Sequence, residues 1–196
     1  MRKRAAILCV LFASGLDGVE PPGDWTGNYA PCNQHTELLK SGPLSLGVRF
    51  STVNRELAAE FARALDFWAA VIEMDWHPEE SRNCTIQIVD GHTRLFRPAE
   101  AARAQFPGAA AFQGWIAFNP RVPLPPPELF ATAVHEIGHL LGLEHSRNSS
   151  SVMYFLATGG PVLLDDADLA ALSARHKLRA KAPSPRAAPA CCSEGQ

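Results

Sequence analysis

The sequence predicts an α+β domain, because strand-like and helical segments alternate over most of the chain. Two short runs, residues 44–50 and 85–89, have the alternating or β-branched apolar composition of strands. Between them, residues 57–72 repeat apolar side chains at helical spacing. A second apolar helix, predicted over residues 128–141, carries two histidines. These segments predict a sheet with long helices packed against it.

Length and composition fit one globular domain, or two small lobes. The chain has 196 residues, of which 46% are hydrophobic, and a formal net charge of −2. So small a net charge supplies no basic face, and nucleic acid is therefore not expected as a partner.

The first 18 residues predict a secretory signal segment. Arg2, Lys3 and Arg4 precede the apolar block AAILCVLFA, and small residues follow it. No apolar run in the sequence is long enough to span a bilayer, so no integral membrane segment is expected after signal removal. The predicted location is secreted, either extracellular or periplasmic. Residues 19–43, rich in proline and glycine, predict an extended lead.

The first elements after this lead are predicted by periodicity. Residues 44–50 alternate as a strand, and Asn54 is placed to cap the helix predicted over residues 57–72. The apolar stripe of that helix predicts core packing. The run TIQIV, residues 85–89, predicts a second strand that ends at Asp90 and Gly91.

The middle of the chain is less regular. Residues 92–105 predict a loop with a short helix after Pro98. Two short extended pieces are expected around Gly114, and Pro120 ends the second.

The remaining segments lead to the C-terminus. Prolines in residues 123–127 predict a stiff connection into the helix of residues 128–141. A last helix is expected to begin near Asp165, with Asp168 three residues further on. Residues 181–196 have a composition that cannot bury a core, so a disordered tail is predicted.

Export would favour disulfide formation. Cys32 and Cys84 lie in the body of the chain and are predicted to pair in an oxidising compartment. Cys191 and Cys192 are adjacent in the tail, where pairing with each other would be strained.

The stretch HEIGHLLGLEHS predicts a metal site. His135 and His139 are four residues apart and share one helix face, with Glu136 beside them. Gly142 can end the helix sharply, so that His145 turns back towards the other two histidines. Three imidazoles plus an exchangeable water form the ligand set of a catalytic zinc. The alternative is a buried helix in which every histidine finds another partner.

These residues resemble the H-E-x-x-H-x-x-G-x-x-H signature of the metzincin metalloproteases. Ser146, directly after the third histidine, resembles the matrixin branch, the relatives of matrix metalloproteases. Met153 is similar to the methionine of the Met-turn beneath the metzincin zinc site. Phe155 stands where astacin-like members have a tyrosine, so that extra ligand is not expected. The resemblance implies a zincin-like catalytic domain over residues 44–180, with a twisted mixed sheet, an active-site helix and a small C-terminal lobe.

The resemblance also implies a function. It implies a monomeric, secreted zinc endopeptidase that hydrolyses extended peptides through a zinc-bound water, with Glu136 as general base. One catalytic zinc is implied, whereas structural zinc or calcium is not expected, because the acidic, histidine-containing loop of vertebrate matrixins is missing. The strand upstream of the zinc helix is expected to be the sheet edge that holds substrate, and Tyr154 and Phe155 are expected in the pocket wall. The expected substrate-binding residues of that strand are Gly114, Trp115, Ile116 and Ala117.

Two alternatives stay open on the sequence. A secreted module could bind zinc through these histidines without catalysis, although the intact Glu136 argues against it. A zinc hydrolase of small amides would use the same ligands, and only the shape of the cleft would distinguish it from a peptidase.

Overall fold

The computed structural model describes four stretches of the chain: residues 44–78, 85–105, 114–154 and 162–179. Several predictions fall outside the described residues: the signal segment 1–18, the lead 19–43, both cysteines of the predicted disulfide (Cys32 and Cys84), Phe155 and the tail 181–196.

Within the described residues the strands form one five-stranded mixed sheet. Its strands are β1 (Leu44–Ser51), β2 (Met74–His77), β3 (Thr85–Asp90), β4 (Ala102–Gln105) and β5 (Gly114–Phe118). Their order across the sheet is β2-β1-β3-β5-β4. The first four strands in that order are parallel, and β4 runs antiparallel to β5 at the edge. The predicted α+β class with a mixed sheet is confirmed.

The described stretches contain three α-helices: α1 (Arg55–Val71), α2 (Pro126–Leu140) and α3 (Asp166–Ser173). Helix α1 begins where its cap predicted, because the Asn54 side chain accepts hydrogen bonds from the backbone N–H groups of Glu56 and Leu57. Its buried stripe is part of the hydrophobic core, and α1 contacts both α2 and β2. No helix among the described residues is both long and apolar enough to cross a membrane.

Helix α2 starts at Pro126, two residues before the predicted start at Glu128. Proline is tolerated in the first helical turn, because the N–H that it lacks would have no partner within the helix. The indole Nε1–H of Trp68 on α1 donates to the carbonyl of Val134 on α2 at 3.0 Å. This buried hydrogen bond fixes how α2 lies across α1.

Three predictions for the sheet were wrong or incomplete. Strand β2 was not predicted. The short helix expected after Pro98 is absent from the described residues, where Pro98 and Ala99 form a turn and β4 follows within three residues. Strand β5, expected at the edge, lies between β3 and β4. The reason is topological. Strand β4 comes before β5 in the chain but lies outside it in the sheet, and local sequence does not encode this order.

Candidate metal centre

Three histidine side chains meet at the end of α2. His135 and His139 lie one helical turn apart on α2, and His145 follows the helix. Their possible ligand atoms all lie within 4.8 Å of one another. The ring centroids are separated by 4.7 Å for His135–His139, 5.2 Å for His135–His145 and 4.6 Å for His139–His145. The three residues predicted as metal ligands are therefore brought together.

The turn that brings the third histidine back depends on Gly142. This residue has φ of 95°, in the left-handed region that favours glycine. The N–H of Gly142 donates to the carbonyl of His139, and the N–H of Leu143 donates to that of Gly138, each at 2.9 Å. These bonds satisfy carbonyls at the helix end as the chain reverses. His145 is thereby directed towards the two histidines of α2.

Two backbone carbonyls orient the imidazoles. His135 Nδ1 lies 2.9 Å from the carbonyl oxygen of Val152, and His139 Nδ1 lies 2.9 Å from that of Leu143. A carbonyl oxygen only accepts, so each Nδ1 carries the proton and donates it. The Nε2 lone pair of each ring is then left to face a metal ion, which is the usual arrangement of histidine ligands.

The spacing of one pair of Nε2 atoms suits two ligands of a tetrahedral ion. Two imidazole nitrogens that bind one zinc ion at about 2.05 Å lie about 3.3 Å apart. His139 Nε2 and His145 Nε2 are 3.1 Å apart. With a lone pair on the Nε2 of His139, this distance is that of a hydrogen bond from His145 or of two ligands of one ion. The donor set therefore fits a zinc ion with three protein ligands.

Burial keeps the imidazoles of His135 and His139 neutral, the protonation state that can bind a metal ion. Desolvation, followed by the charge of His145, lowers the pKa of His135 from 6.5 to about 4, although the bond to Val152 opposes this. Desolvation also lowers the pKa of His139 well below 6.5, and the charges of the two neighbouring histidines add to the effect. Both rings are neutral near pH 7, the state that coordinates metal.

Glu136 occupies a different position from the ligands. Its side chain is buried, and its Oε2 accepts a hydrogen bond from the backbone N–H of Ala104 on β4 at 2.7 Å. The group of possible metal ligands consists of the three histidines and does not include this carboxylate. The Glu136 carboxylate therefore lies beside the ligands in the sequence, but it is held by β4 and is not part of their group.

Met153 lies under the centre, fully buried. A Cβ atom added to Gly138, which lies between the two α2 histidines, would come within 2.5 Å of Met153 Sδ. The turn that holds this methionine is tied by Ser151, whose hydroxyl accepts from the N–H of Met153 and donates to Asp168 on α3 at 2.7 Å. Burial raises the pKa of Asp168, and the bond from Ser151 partly offsets that effect. The role of Ser151 and Asp168 in this turn was not predicted, although the capping spacing of Asp165 and Asp168 is visible in the sequence.

The start of β4 is fixed by a cluster around Glu100. The Glu100 carboxylate accepts from the N–H of Arg97 at 2.6 Å and from the Arg103 guanidinium at 2.9 Å. Its backbone carbonyl accepts from Asn119 Nδ2 at 2.8 Å. These bonds attach the first turn before β4 to the residue that follows β5.

The predicted substrate-binding residues are placed differently from the ligands. Ile116 and Ala117 are fully buried inside β5, Trp115 is half-buried, and Gly114 begins that strand. Strand β5 is hydrogen-bonded on both sides, so it cannot add a substrate strand. Tyr154 is half-buried directly after Met153.

The described residues contain one group of three or more possible metal ligands, the histidines described above. His92 is exposed, and its Nδ1 accepts a hydrogen bond from the N–H of Arg94 at 3.2 Å.

These features together define a metzincin-type metalloprotease domain. They are the mixed sheet, the two histidines on one helix, the third histidine after a glycine turn and the buried methionine beneath them. The family model described as Matrixin matches residues 48–176, and the chain belongs to the matrixin family of zinc metalloproteases.

A curated relative is similar over a shorter stretch. Karilysin of Tannerella forsythia is 51% identical over 45 residues, which make up 23% of this chain and 10% of that protein. The matched part thus spans about a tenth of the length of that relative.

Proposed function

We propose that this chain is a secreted zinc-dependent endopeptidase in which Glu136 is the general base. Membership of the matrixin family supports a zinc-dependent peptidase acting on peptide substrates. The observation that carries the finer proposal is the arrangement of the centre. Three imidazoles converge, two of them with Nδ1 held by backbone carbonyls, and a buried carboxylate that is not a ligand lies next to them.

His135, His139 and His145 would hold the zinc ion. When bound, zinc supplies Lewis-acid polarisation of the scissile carbonyl and of the attacking water. The Glu136 carboxylate removes a proton from that water and passes it to the departing amine nitrogen. The reaction needs no covalent enzyme intermediate. The burial of Glu136, and its place between the first two histidines in the sequence, support this role.

An extended peptide would bind along the outer edge of β4. Strand β4 is the last strand of the described sheet on the side nearest α2, and the two elements are in contact. Adding a strand to an exposed edge is a common way to hold a peptide, and it requires backbone groups that point outwards. This edge favours a peptide over a small amide, which would need a closed pocket.

The side-chain preference and location are proposed from sequence. Tyr154 and Phe155, expected in the pocket wall, suggest an apolar side chain next to the cleaved bond. The basic and apolar composition of residues 1–18 supports export, which would also permit a disulfide between Cys32 and Cys84. N-terminal sequencing of protein recovered from the medium or periplasm, with a thiol count under denaturing conditions, tests both proposals.

The test of the function uses three purified forms of the chain: wild type, Glu136→Ala and Glu144→Ala. Wild type should bind one zinc per chain and cleave internal bonds of a peptide library, and a chelator should abolish the cleavage until zinc is returned. Glu136→Ala should keep the zinc and lose cleavage by a factor of about 10² or more. The control is Glu144→Ala, which removes an exposed carboxylate from the same segment. A zinc-loaded wild type that cleaves no peptide would instead indicate a binding module.

A further inference from the structure

The register of the β4–β5 ladder determines which backbone groups of β4 face outwards. Asn119 N–H donates to the carbonyl of Ala101 at 2.8 Å, so Ala101 and Asn119 form a hydrogen-bonded pair. In an antiparallel ladder, hydrogen-bonded and non-hydrogen-bonded pairs alternate. Arg103 is therefore bonded to Ala117, whereas Ala104, opposite Ile116, directs its N–H away from β5. The N–H of Ala102 points the same way.

At this edge the N–H of Ala104 meets the carboxylate of Glu136. The distance from the amide nitrogen to Oε2 is 2.7 Å, and both residues are buried. A hydrogen bond from an N–H to a carboxylate is stronger than one between neutral groups, and burial strengthens it further. The bond therefore joins the substrate-binding edge of the sheet to the proposed base on α2.

We propose that the backbone N–H of Ala104 is a positioning group for Glu136. It holds Oε2 and so fixes the plane of the carboxylate relative to the metal centre. The other carboxylate oxygen, Oε1, is then the one that takes the proton from water. At this position the N–H of β4 therefore donates to Glu136, and the substrate forms hydrogen bonds with other backbone groups of the strand. This inference rests on the proposed function, because it takes Glu136 as the base.

The geometry explains why a backbone group can serve this purpose. A glutamate side chain has three rotatable torsions, and a misplacement of about 1 Å can lower a rate about 10²-fold. An N–H in a strand has no torsion of its own. Strand β4 is itself held by the Glu100 cluster and by the ladder to β5.

The test replaces Ala104 with L-lactic acid by nonsense suppression, which exchanges the N–H for an ester oxygen and keeps the methyl group. The matched control is the same replacement at Ala102. It also removes one outward N–H, and it also turns the carbonyl of the preceding residue, which bonds to β5, into the weaker acceptor of an ester. The ester at 104 should lower kcat about tenfold or more with KM within about twofold. The ester at 102 should instead raise KM. An ester at 104 with wild-type kcat would overturn the inference.

A second measurement does not depend on activity or on the folding of the esters. Amide hydrogen exchange, followed by NMR in the zinc-loaded protein, should show slower exchange at Ala104 than at Ala102. Glu136→Ala should remove that protection, and Glu136→Gln, which keeps an acceptor oxygen, should retain most of it. Equal exchange at the two alanines, or protection that survives Glu136→Ala, would overturn the inference.

The outcomes separate this inference from the proposed function. Wild-type activity in Glu136→Ala would refute the base assignment and the inference with it. An inactive Glu136→Ala beside a fully active ester at 104 would leave the proposed function intact and refute the positioning role alone.

Discussion

Replacing Gly138 with alanine should disturb the metal centre without touching a ligand. The added Cβ would lie 2.5 Å from Met153 Sδ and 3.2 Å from Trp68 Cζ2. Both neighbours are fully buried. The indole of Trp68 is held by its bond to Val134, and the backbone of Met153 is held on both sides, its N–H by Ser151 and its carbonyl by Ser146. Only the thioether end of Met153 can move.

Two opposing effects set the magnitude. Alanine is favoured over glycine in a helix interior by about 1 kcal/mol. Overpacking a well-filled core costs about 1–3 kcal/mol. Trp68 is fixed and the Met153 thioether can shift only within a fully buried site, so we expect a cost in the upper part of that range. The free energy of unfolding should therefore fall by about 1–2 kcal/mol, which corresponds to about 3–6 °C in Tm for a chain of this size. Because the strain falls between two ligands, zinc affinity should fall about tenfold.

The assay is thermal unfolding with and without zinc, together with zinc titration against a chelating dye. The control is a double-mutant cycle with Met153→Ala, which removes the thioether. In that background Gly138→Ala should be neutral or stabilising, because only the helix propensity remains, and the coupling should be about 2 kcal/mol. A Gly138→Ala protein more stable than wild type by the full propensity difference, with unchanged zinc affinity, would refute the packing argument.

Three further changes test the parts around the centre. Ser151→Ala removes a hydrogen-bond donor from the buried carboxylate of Asp168 and should lower the free energy of unfolding in urea by about 1–3 kcal/mol. An unchanged free energy would contradict a stabilising role of Ser151 in the turn. Burial lowers the pKa of His176, so the folded state resists protonation and the unfolding free energy should fall as pH drops below 6.5. His176→Gln should make that part of the pH profile less steep, since His135 and His139 still contribute to it, and parallel profiles would disprove the assignment. Glu100→Ala should raise KM for long peptides a few-fold with zinc content unchanged, whereas Glu73→Ala, which removes an ion pair remote from β4, should leave KM alone.

Features whose causes lie within a few residues could be predicted from sequence. The Asn54 cap is such a feature, because one side chain accepts from backbone groups two and three residues later. The turn at Gly142 is another, since the required φ is available mainly to glycine. The proposed ligands and Glu136 lie within eleven residues, His135 to His145, so helical geometry and one turn were enough to expect them together.

The strands show where such reasoning ends. Strand β4 has four residues with two alanines and an arginine among them, and nothing in its composition marks it as a strand. It forms a strand because its backbone pairs with β5 and because the Glu100 cluster fixes its first residues. Strand order across a sheet depends on pairing between distant segments, so the strand that begins at Gly114 was wrongly expected at the edge.

The sequence by itself determined the helix periodicity, the caps and the cluster of metal-ligating side chains, because each depends on contacts between near neighbours. Only the tertiary structure decided which strand forms the edge and which backbone N–H meets Glu136 across 32 residues. It also decided that Met153 fills the space beside Gly138. These contacts join segments that the chain connects only through the folded core, where close packing fixes their distances.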